Sequence, residues 1–260
     1  MTKTKRSVLP VVLVLGAILA VCLVVLMGTL LGMRYTTLES GIRFFGKYSD
    51  GVPAKGTVYY ATGTARLDAA ARTLTYENGD VYLGDIQGLL PHGQGKMTYA
   101  SGDEYDGGWA EGIRNGHGTA RYVSGDTYTG EWKEGVRNGY GTYVFADGSY
   151  YEGYFAENMK NGTGKYVYAS GDVYEGSFLD DRKNGKGTFT WKETGNVYEG
   201  DFAEDERTGK GTFTWANGDR YVGDFLAGKL HGEGTYTVAG QDGAEGRTYT
   251  GKFENGLIVP

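Results

Sequence analysis

A unit of about 23 residues recurs along most of this chain, and it restricts the fold more than any other feature. Each copy opens with a tyrosine, and the copies begin at Tyr82, Tyr105, Tyr128, Tyr151, Tyr174, Tyr198, Tyr221 and Tyr249. They follow one another at 23 residues, apart from one interval of 24 and a last one of 28. A fixed period of this size indicates a repeat array, in which each unit buries its apolar face against its neighbours.

The first half of the unit reads as a half-buried β-strand. With the tyrosine as position zero, glycine follows at position two and an aromatic residue at position four, as in Tyr128, Gly130 and Trp132. The residues between them, Thr129 and Glu131, are polar. Such alternation places every second side chain on one face of a sheet.

The second half of the unit predicts two turns and a returning strand. Position seven is mostly Gly, Asn or Asp, which tolerate a left-handed backbone, and position twenty is usually glycine. Between them, glycine at positions eleven and thirteen precedes apolar residues at fifteen and seventeen. We expect position four to pair with eleven, two with thirteen and zero with fifteen. A three-residue turn with left-handed glycine would close each copy.

The glycines of this pattern are predicted to be structural, since they leave bare backbone beside which the rings can lie flat. In the central copies these predicted structural glycines are Gly107, Gly116, Gly118, Gly130, Gly139, Gly141, Gly153, Gly162 and Gly164. The predicted fold is therefore all-β: a single-layer antiparallel sheet of consecutive hairpins.

The pattern Y-x-G-x-[WF]-x-x-[GND]-x-x-x-G-x-G-T resembles the MORN repeat (membrane occupation and recognition nexus), over roughly residues 42–260. The resemblance implies that a segment of a partner protein lies along the concave aromatic face.

The N-terminus predicts one transmembrane α-helix ahead of the repeats. Val8 to Met33 carries no charge and is long enough to span a bilayer, whereas the apolar part of a cleaved signal peptide, the rival reading, is shorter. Lys3, Lys5 and Arg6 favour a cytoplasmic N-terminus, which puts the repeats outside the cytoplasm. Gly28 and Gly32 have the spacing of a helix-dimerisation motif or of ordinary membrane-helix glycine.

These observations divide the chain into five segments. They are a basic tail (1–7), the transmembrane helix (8–33), a juxtamembrane connector (34–41), a degenerate first repeat that acts as a cap (42–81) and the repeat array (82–260). Within the cap, Phe44 to Gly51 matches the start of the unit, while Leu67 to Leu74 fits either a helical turn or an irregular hairpin.

No residue set for catalysis, metal or cofactor binding emerges from the sequence. The glycine pairs open no helix, and no G-x-x-x-x-G-K-[ST] phosphate loop occurs. His92 and His231 stand where most copies have Asn, which favours a polar turn position over a metal ligand. Cys22, the only cysteine, lies in the predicted membrane segment. We therefore expect that the protein has no enzymatic activity and binds no cofactor.

Charge narrows the partners of the repeats. Of 26 basic residues, all but Lys3, Lys5 and Arg6 follow residue 33. Residues 34–260 therefore contain 23 basic and 32 acidic residues. This acidic balance argues against nucleic acid, whose binding depends on neutralising phosphates. The repeats also lack the polybasic surface that binding to acidic lipids requires.

The sequence thus predicts a membrane-anchored scaffold that binds another protein through an aromatic face. We expect a partly exposed row of rings to carry this binding; the predicted partner-binding residues are Tyr128, Trp132, Tyr151, Phe155, Tyr174 and Phe178. Two other functions stay open: a module that stacks on cell-wall glycans, and a rigid spacer. The alternative for the rings themselves is that they cover one another and leave nothing to bind.

Overall fold

The computed structural model describes residues 32–240 and 246–259, which form β-strands and turns and contain no helix. They fall into an N-terminal unit, Met1–Ala100, and a C-terminal unit, Ser101–Pro260. Within each unit, consecutive strands pair antiparallel into one sheet, which confirms the predicted all-β class of consecutive hairpins.

The N-terminal unit contains seven described strands, each paired with the next. They are β1 (Met33–Thr37), β2 (Arg43–Ser49), β3 (Val52–Tyr60), β4 (Gly63–Asp68), β5 (Thr73–Tyr76), β6 (Val81–Gln87) and β7 (Leu90–Thr98). Phe44 to Gly51 forms the first strand and turn of a hairpin. Leu67 and Leu74 face each other across β4 and β5, so this stretch is a hairpin rather than a helical turn.

The start of this unit differs from the predicted boundaries. β1 occupies Met33, the end of the predicted membrane helix, and the first half of the predicted connector, because these residues pair with β2 in a register that joins Met33 to Lys47. Gly32 lies in a turn just before β1, and residues 8–31 of the predicted helix, including Gly28, lie outside the described residues. Among the described residues, no helix has the length and apolar character needed to cross a bilayer.

The C-terminal unit continues the same alternation of strands and turns. Its strands are β8 (Glu104–Ala110), β9 (Ile113–Arg121), β10 (Thr127–Lys133), β11 (Val136–Val144), β12 (Tyr150–Ala156), β13 (Met159–Val167), β14 (Val173–Leu179), β15 (Arg182–Thr190), β16 (Val197–Ala203), β17 (Glu206–Thr214), β18 (Arg220–Leu226), β19 (Lys229–Val238), β20 (Arg247–Glu254) and β21 (Leu257–Ile258).

The hairpin inside each copy closes with a two-residue turn. Glu134 (φ 50°) and Gly135 (φ 83°) connect the paired residues Lys133 and Val136. The left-handed residue at position seven was predicted, but position six is left-handed as well, even though it is usually Glu or Asp. Two-residue hairpin loops whose twist matches that of the strands require positive φ at both residues, which explains the second one.

The return turn to the next copy has the predicted form. Phe145 N–H donates to Ser149 O and Gly148 N–H to Phe145 O, both at 2.9 Å, with Gly148 at φ 84°. Three residues therefore separate the paired ends. The 24-residue copy lengthens this turn by one residue, so that Trp191 N–H bonds to Asn196 O.

The strand register agrees with the prediction at two pairs and differs at the third. In β10 and β11, Tyr128 faces Tyr143 and Gly130 faces Gly141, but Trp132 faces Arg137 because the register shifts after Gly130. Position four thus pairs with nine inside a copy, and the predicted pairing with eleven is wrong there. That pairing occurs instead with the next copy, where Phe155 faces Gly139.

The opening tyrosines form the core of the sheet. The Tyr128 side chain is fully buried and lies over the backbone of Gly130 and Gly141. Its hydroxyl donates to Glu131 O at 2.9 Å, and Glu131 has no partner residue in β11 because of the register shift. The tyrosine therefore both packs on the glycine pair and satisfies a carbonyl next to the shift.

We predict that two glycine substitutions will differ in cost because only one is crowded. A Cβ at Gly130 would lie 2.5 Å from Gly141 Cα and 2.7 Å from Tyr140 O, whereas one at Gly148 would meet nothing within 4 Å. Gly130→Ala should cost about 1–3 kcal/mol through overpacking against backbone. Gly148→Ala should cost about 1 kcal/mol, from the left-handed φ alone. Urea unfolding of both variants measures this, and equal losses would contradict it.

Candidate binding face of the C-terminal unit

The six predicted partner-binding rings form a continuous row, but this row is buried. Tyr128, Tyr151 and Tyr174 have no exposed surface, and Trp132, Phe155 and Phe178 are at most 5% exposed. Each tyrosine makes edge-to-face contacts with the aromatic residue of its own copy and of the next, at 5.0–5.2 Å. The expected exposed patch is therefore wrong at these positions, since the rings cover one another above the glycines.

The exposed aromatic surface of this face is a second row, which we call the aromatic ladder. It consists of the residues at positions fifteen and seventeen in four consecutive copies: Tyr143, Phe145, Tyr166, Tyr168, Phe189, Trp191, Phe213 and Trp215. All are half-buried except Phe213, which is buried. The sequence pattern identified these residues as apolar strand positions and did not predict that they bind a partner.

The ladder is continuous from ring to ring. Within a copy the two ring centroids are 4.4–4.6 Å apart, and between copies they are 5.4–5.8 Å apart. The rings are tilted by 41–54° in each of these contacts. Centroid distances of this size are favourable for aromatic pairs.

A row of cations separates the buried rings from the ladder. It comprises Arg114, Arg137, Lys160, Lys183 and Arg207, all at position nine of their copies. Arg137, for example, lies 4.9 Å from the Tyr143 ring centroid on the ladder side and 5.5 Å from that of Phe155 on the buried side. Position nine comes to this face through the register shift, which the sequence pattern does not reveal, so this cation row was not predicted. The periodic Arg or Lys at position nine was the available signal.

Burial among rings weakens the hydration of the cation row. Desolvation lowers the pKa of the Lys160 and Lys183 ammonium groups and of the Arg207 guanidinium. The arginines keep a backbone acceptor in the next copy: Arg137 Nη2 donates to Asn158 O at 2.7 Å and Arg207 Nη2 to Gly228 O at 2.6 Å. Cation–π contacts gain strength when water is excluded, so these groups stabilise both rows of rings.

The tyrosines of the buried row stay protonated for the same physical reason. Burial raises the pKa of Tyr198 and of Tyr221 to about 12, and it raises those of Tyr128 and Tyr151 further. A neutral phenol donates the hydrogen bond to the strand carbonyl, as Tyr198 does to Asp201 O at 2.9 Å. These phenols have a structural role and are not candidates for acid–base chemistry.

Two equivalent pockets open between the cation row and the ladder. The first, about 290 Å³, is lined by Arg137, Tyr143, Phe145 and Lys160 among others. The second, about 330 Å³, is lined at the corresponding positions by Lys183, Phe189, Trp191 and Arg207, and also by Asp205. They lie two copies apart, so the same structural element presents the same apolar and cationic groups twice.

The opposite face of the C-terminal unit is polar, and many of its charges neutralise one another. Lys186 pairs with Asp201 and Lys210 with Asp224, each at 2.7 Å. These pairs join facing residues of adjacent copies, and exposed pairs of this kind contribute little energy. A shallow groove of about 910 Å³ runs over this face and is lined mainly by glycine, threonine and charged residues. The polar face therefore offers few apolar contacts.

No group of His, Cys, Asp and Glu side chains that would suit a metal ion occurs among the described residues. His92 and His231 instead supply backbone acceptors: the hydroxyl of Tyr82 bonds to His92 O at 3.2 Å, and that of Tyr221 to His231 O at 3.1 Å.

Aspartates hold successive return turns together. Asp126 Oδ1 accepts the N–H of Ala146 at 2.9 Å, and its Oδ2 accepts the hydroxyl of the ladder residue Tyr143 at 2.8 Å. These two bonds lower the pKa of Asp126. Asn196 accepts the N–H of Ala216 in the same way at 3.0 Å, so an amide can replace the carboxylate.

We predict that Asp126→Asn will flatten the acid dependence of stability. A carboxyl whose pKa is lower in the folded state stabilises the fold above its unfolded value, about 3.9, and loses that contribution as the pH falls through the folded value. The amide keeps the acceptor and does not titrate, whereas Asp126→Ala should lower stability at neutral pH too. Urea midpoints at neutral pH and near pH 3 measure both effects. The prediction fails if Asp126→Asn keeps the wild-type pH dependence.

We also predict that the four tryptophans differ in solvent access. Trp109 and Trp132 are 5% and 3% exposed in the buried row, whereas Trp191 and Trp215 are half-buried in the ladder. Acrylamide should therefore quench the protein severalfold less after Trp191→Phe with Trp215→Phe than after Trp132→Phe. Similar quenching in both variants would show that the ladder is covered.

The described strands define a class of protein, an array of antiparallel β-hairpin repeats built on Tyr-x-Gly and Gly-x-Gly elements. The chain belongs to the MORN-repeat family, whose model (MORN repeat) matches residues 90–104, 105–127, 128–150, 151–173, 174–193, 198–220 and 221–239.

Two solved structures show a distant likeness to the chain. One is the SAS-4 (dCPAP) TCP domain of Drosophila melanogaster in complex with a proline rich motif of Ana2 (dSTIL); identity is 16%, the TM-score 0.38, and coverage 68% of this chain and 94% of that one. The other is the TCP10 domain of Danio rerio CPAP in complex with a peptide of STIL, at 12% identity and a TM-score of 0.41, covering 85% and 99%. Similarity at this level carries no argument about function. No curated protein matches the sequence.

Proposed function

We propose that this chain is a non-enzymatic scaffold, anchored in a membrane by the uncharged segment ahead of β1, that binds an extended segment of a partner protein along the aromatic ladder. The observation that carries the proposal is the continuous row of half-buried rings bordered by cations and indented by two pockets. Contiguous apolar surface that stays accessible to solvent often marks an interaction site.

The composition of the face supports a protein partner. Aromatic residues and arginine are enriched where proteins bind one another, because they combine large contact areas with hydrogen bonds and cation–π contacts. The rings are preorganised by their neighbours, as Phe145 is by Tyr143 at 4.6 Å and Tyr166 at 5.8 Å, so binding would cost little side-chain entropy.

The membrane part of the proposal rests on the sequence alone. The uncharged stretch that begins at Val8 is long enough to span a bilayer, and the basic residues before it favour a cytoplasmic N-terminus with the repeats on the other side.

The test is affinity capture with matched aromatic-to-valine variants of the full chain. In the ladder, Phe145→Val with Tyr168→Val removes two rings where the unit tolerates valine, since Val238 occupies the same position in a later copy. On the polar face, Tyr140→Val with Tyr154→Val removes two rings that are 45% and 50% exposed. A partner captured by the wild type should be lost with the first pair and kept with the second.

The opposite result, loss with the polar-face pair alone, would exclude the ladder as the binding surface. Equal urea midpoints for the two double variants control for unfolding. The anchor is checked in the same preparation: the full chain should stay in the membrane fraction after alkaline carbonate washing.

A further inference from the structure

The ladder has a repeat distance along the sheet that identifies the conformation of its ligand. Each copy contributes two strands, and neighbouring strands lie about 4.7–4.9 Å apart, so equivalent rings recur every ~9.6 Å. The ring contacts are compatible with this value, because each copy adds one step of 4.4–4.5 Å and one of 5.4–5.7 Å, and the sum of the two steps is the upper limit of the repeat. A ligand that makes the same contact in each copy must repeat at this distance.

Among the regular peptide conformations, polyproline II matches this distance best. It has three residues per turn and rises about 3.1 Å per residue, so one face recurs every ~9.3 Å. Side chains on one face of a β-strand recur every ~6.7 Å. An α-helix repeats every ~5.4 Å, or ~10.8 Å for two turns, and falls out of step by more than an ångström per copy.

The positions of the two pockets extend the agreement between the ladder repeat and the polyproline II repeat over two copies. They occupy equivalent positions two copies apart, which corresponds to about 19 Å along the sheet. Six residues of polyproline II span ~18.6 Å, so residues i and i+6 of one ligand would enter the two pockets, with residue i+3 over the copy between them.

Unpaired hydrogen-bond donors at the same spacing give a second, independent indication. The indole N–H groups of Trp191 and Trp215 donate to no described residue, and neither nitrogen is buried. The two tryptophans hold the same position in successive copies. Polyproline II has no internal hydrogen bonds, so its carbonyl oxygens at i and i+3 are free to accept from two donors one copy apart.

We infer that the ladder binds a proline-rich segment in the polyproline II conformation, with a proline at every third position over the rings and carbonyl oxygens on Trp191 and Trp215. This rests on the proposed protein-binding function of the ladder and specifies its ligand. Such a ligand is already extended before it binds and loses little conformational entropy. Tilted aromatic rings with an indole donor suit the flat pyrrolidine ring and the carbonyl beside it.

The test uses a fluorescein-labelled polyproline peptide of about twelve residues, long enough to span both pockets. Its binding to the full chain is followed by fluorescence anisotropy. The reference is a Gly-Ser peptide of equal length, which is a flexible coil and carries no rings. We expect saturable binding of the polyproline peptide and none of the Gly-Ser peptide.

Two matched tryptophan variants then examine the donors. Trp191→Phe with Trp215→Phe replaces each indole by a smaller aromatic ring and removes both N–H groups, and should weaken binding about tenfold, the effect of roughly two net hydrogen bonds. Trp132→Phe makes the same chemical change in the buried row, where other copies have Phe, and should leave the affinity unchanged. Unchanged affinity in the double variant would overturn the role of the indoles.

Equal binding of both peptides, or no binding of polyproline, would overturn the assignment of the ligand. The scaffold proposal is judged separately by the valine variants. Suppose that capture of a partner depends on Phe145 and Tyr168 but the polyproline peptide does not bind. That result would support the scaffold proposal and refute only the polyproline ligand. If partner capture does not depend on Phe145 and Tyr168 and the polyproline peptide does not bind, both the scaffold proposal and the polyproline ligand are refuted.

Discussion

The packing of one tyrosine ring on a pair of glycines is the constraint on which each copy depends. The ring needs bare backbone beneath it, and a Cβ on Gly141 would lie 2.5 Å from the Tyr128 hydroxyl oxygen. The hydroxyl in turn satisfies the carbonyl of Glu131, beside the register shift. The degenerate first copy is consistent with this coupling: it opens with Phe44, which has no hydroxyl, and its register shift is smaller, with Lys47 facing Lys55 and Tyr48 facing Pro53.

The same packing decides which rings remain for binding. Because the opening tyrosines lie flat and are covered by the position-four rings of two copies, that row forms the hydrophobic layer of the sheet. The register shift then turns position nine onto the same face, where a long Arg or Lys side chain covers the edge of the buried row. On this face, the ladder beyond the cations is a row of described rings that retains exposed aromatic surface. The ladder rings stay exposed because the opening tyrosines and the position-four rings cover one another and not the ladder.

The sequence was sufficient for the period, the class of fold, the return turn and the pairing of Gly130 with Gly141, since each depends on residues within one copy. It was insufficient for the pairing of Trp132 and for the cation row, because both depend on a register shift that the hydrophobic pattern does not encode. Position six shows the same limit: Glu134 is left-handed because the two-residue turn requires it, although glutamate has no preference for that conformation. The binding row was misplaced because periodicity identifies a face and cannot distinguish which rings on it are covered.

The division between covered and exposed rings also sets the extent of the candidate site. Tyrosine, glycine and an aromatic at positions zero, two and four recur in nearly every copy, because the packing needs them. Positions nine, fifteen and seventeen vary at the ends of the series. Ala120 takes position fifteen in the copy before Tyr143, although Tyr122 keeps a ring at position seventeen; Leu230 and Val238 take positions nine and seventeen in the copy after Trp215, although Tyr236 keeps a ring at position fifteen. Those substitutions leave the hairpins intact, as Phe225 still faces Leu230 in regular register. The framework therefore does not require the ladder and the cation row. Their presence together in the four copies that begin at Tyr128, Tyr151, Tyr174 and Tyr198 needs an explanation beyond folding, and a ligand of about that length provides one.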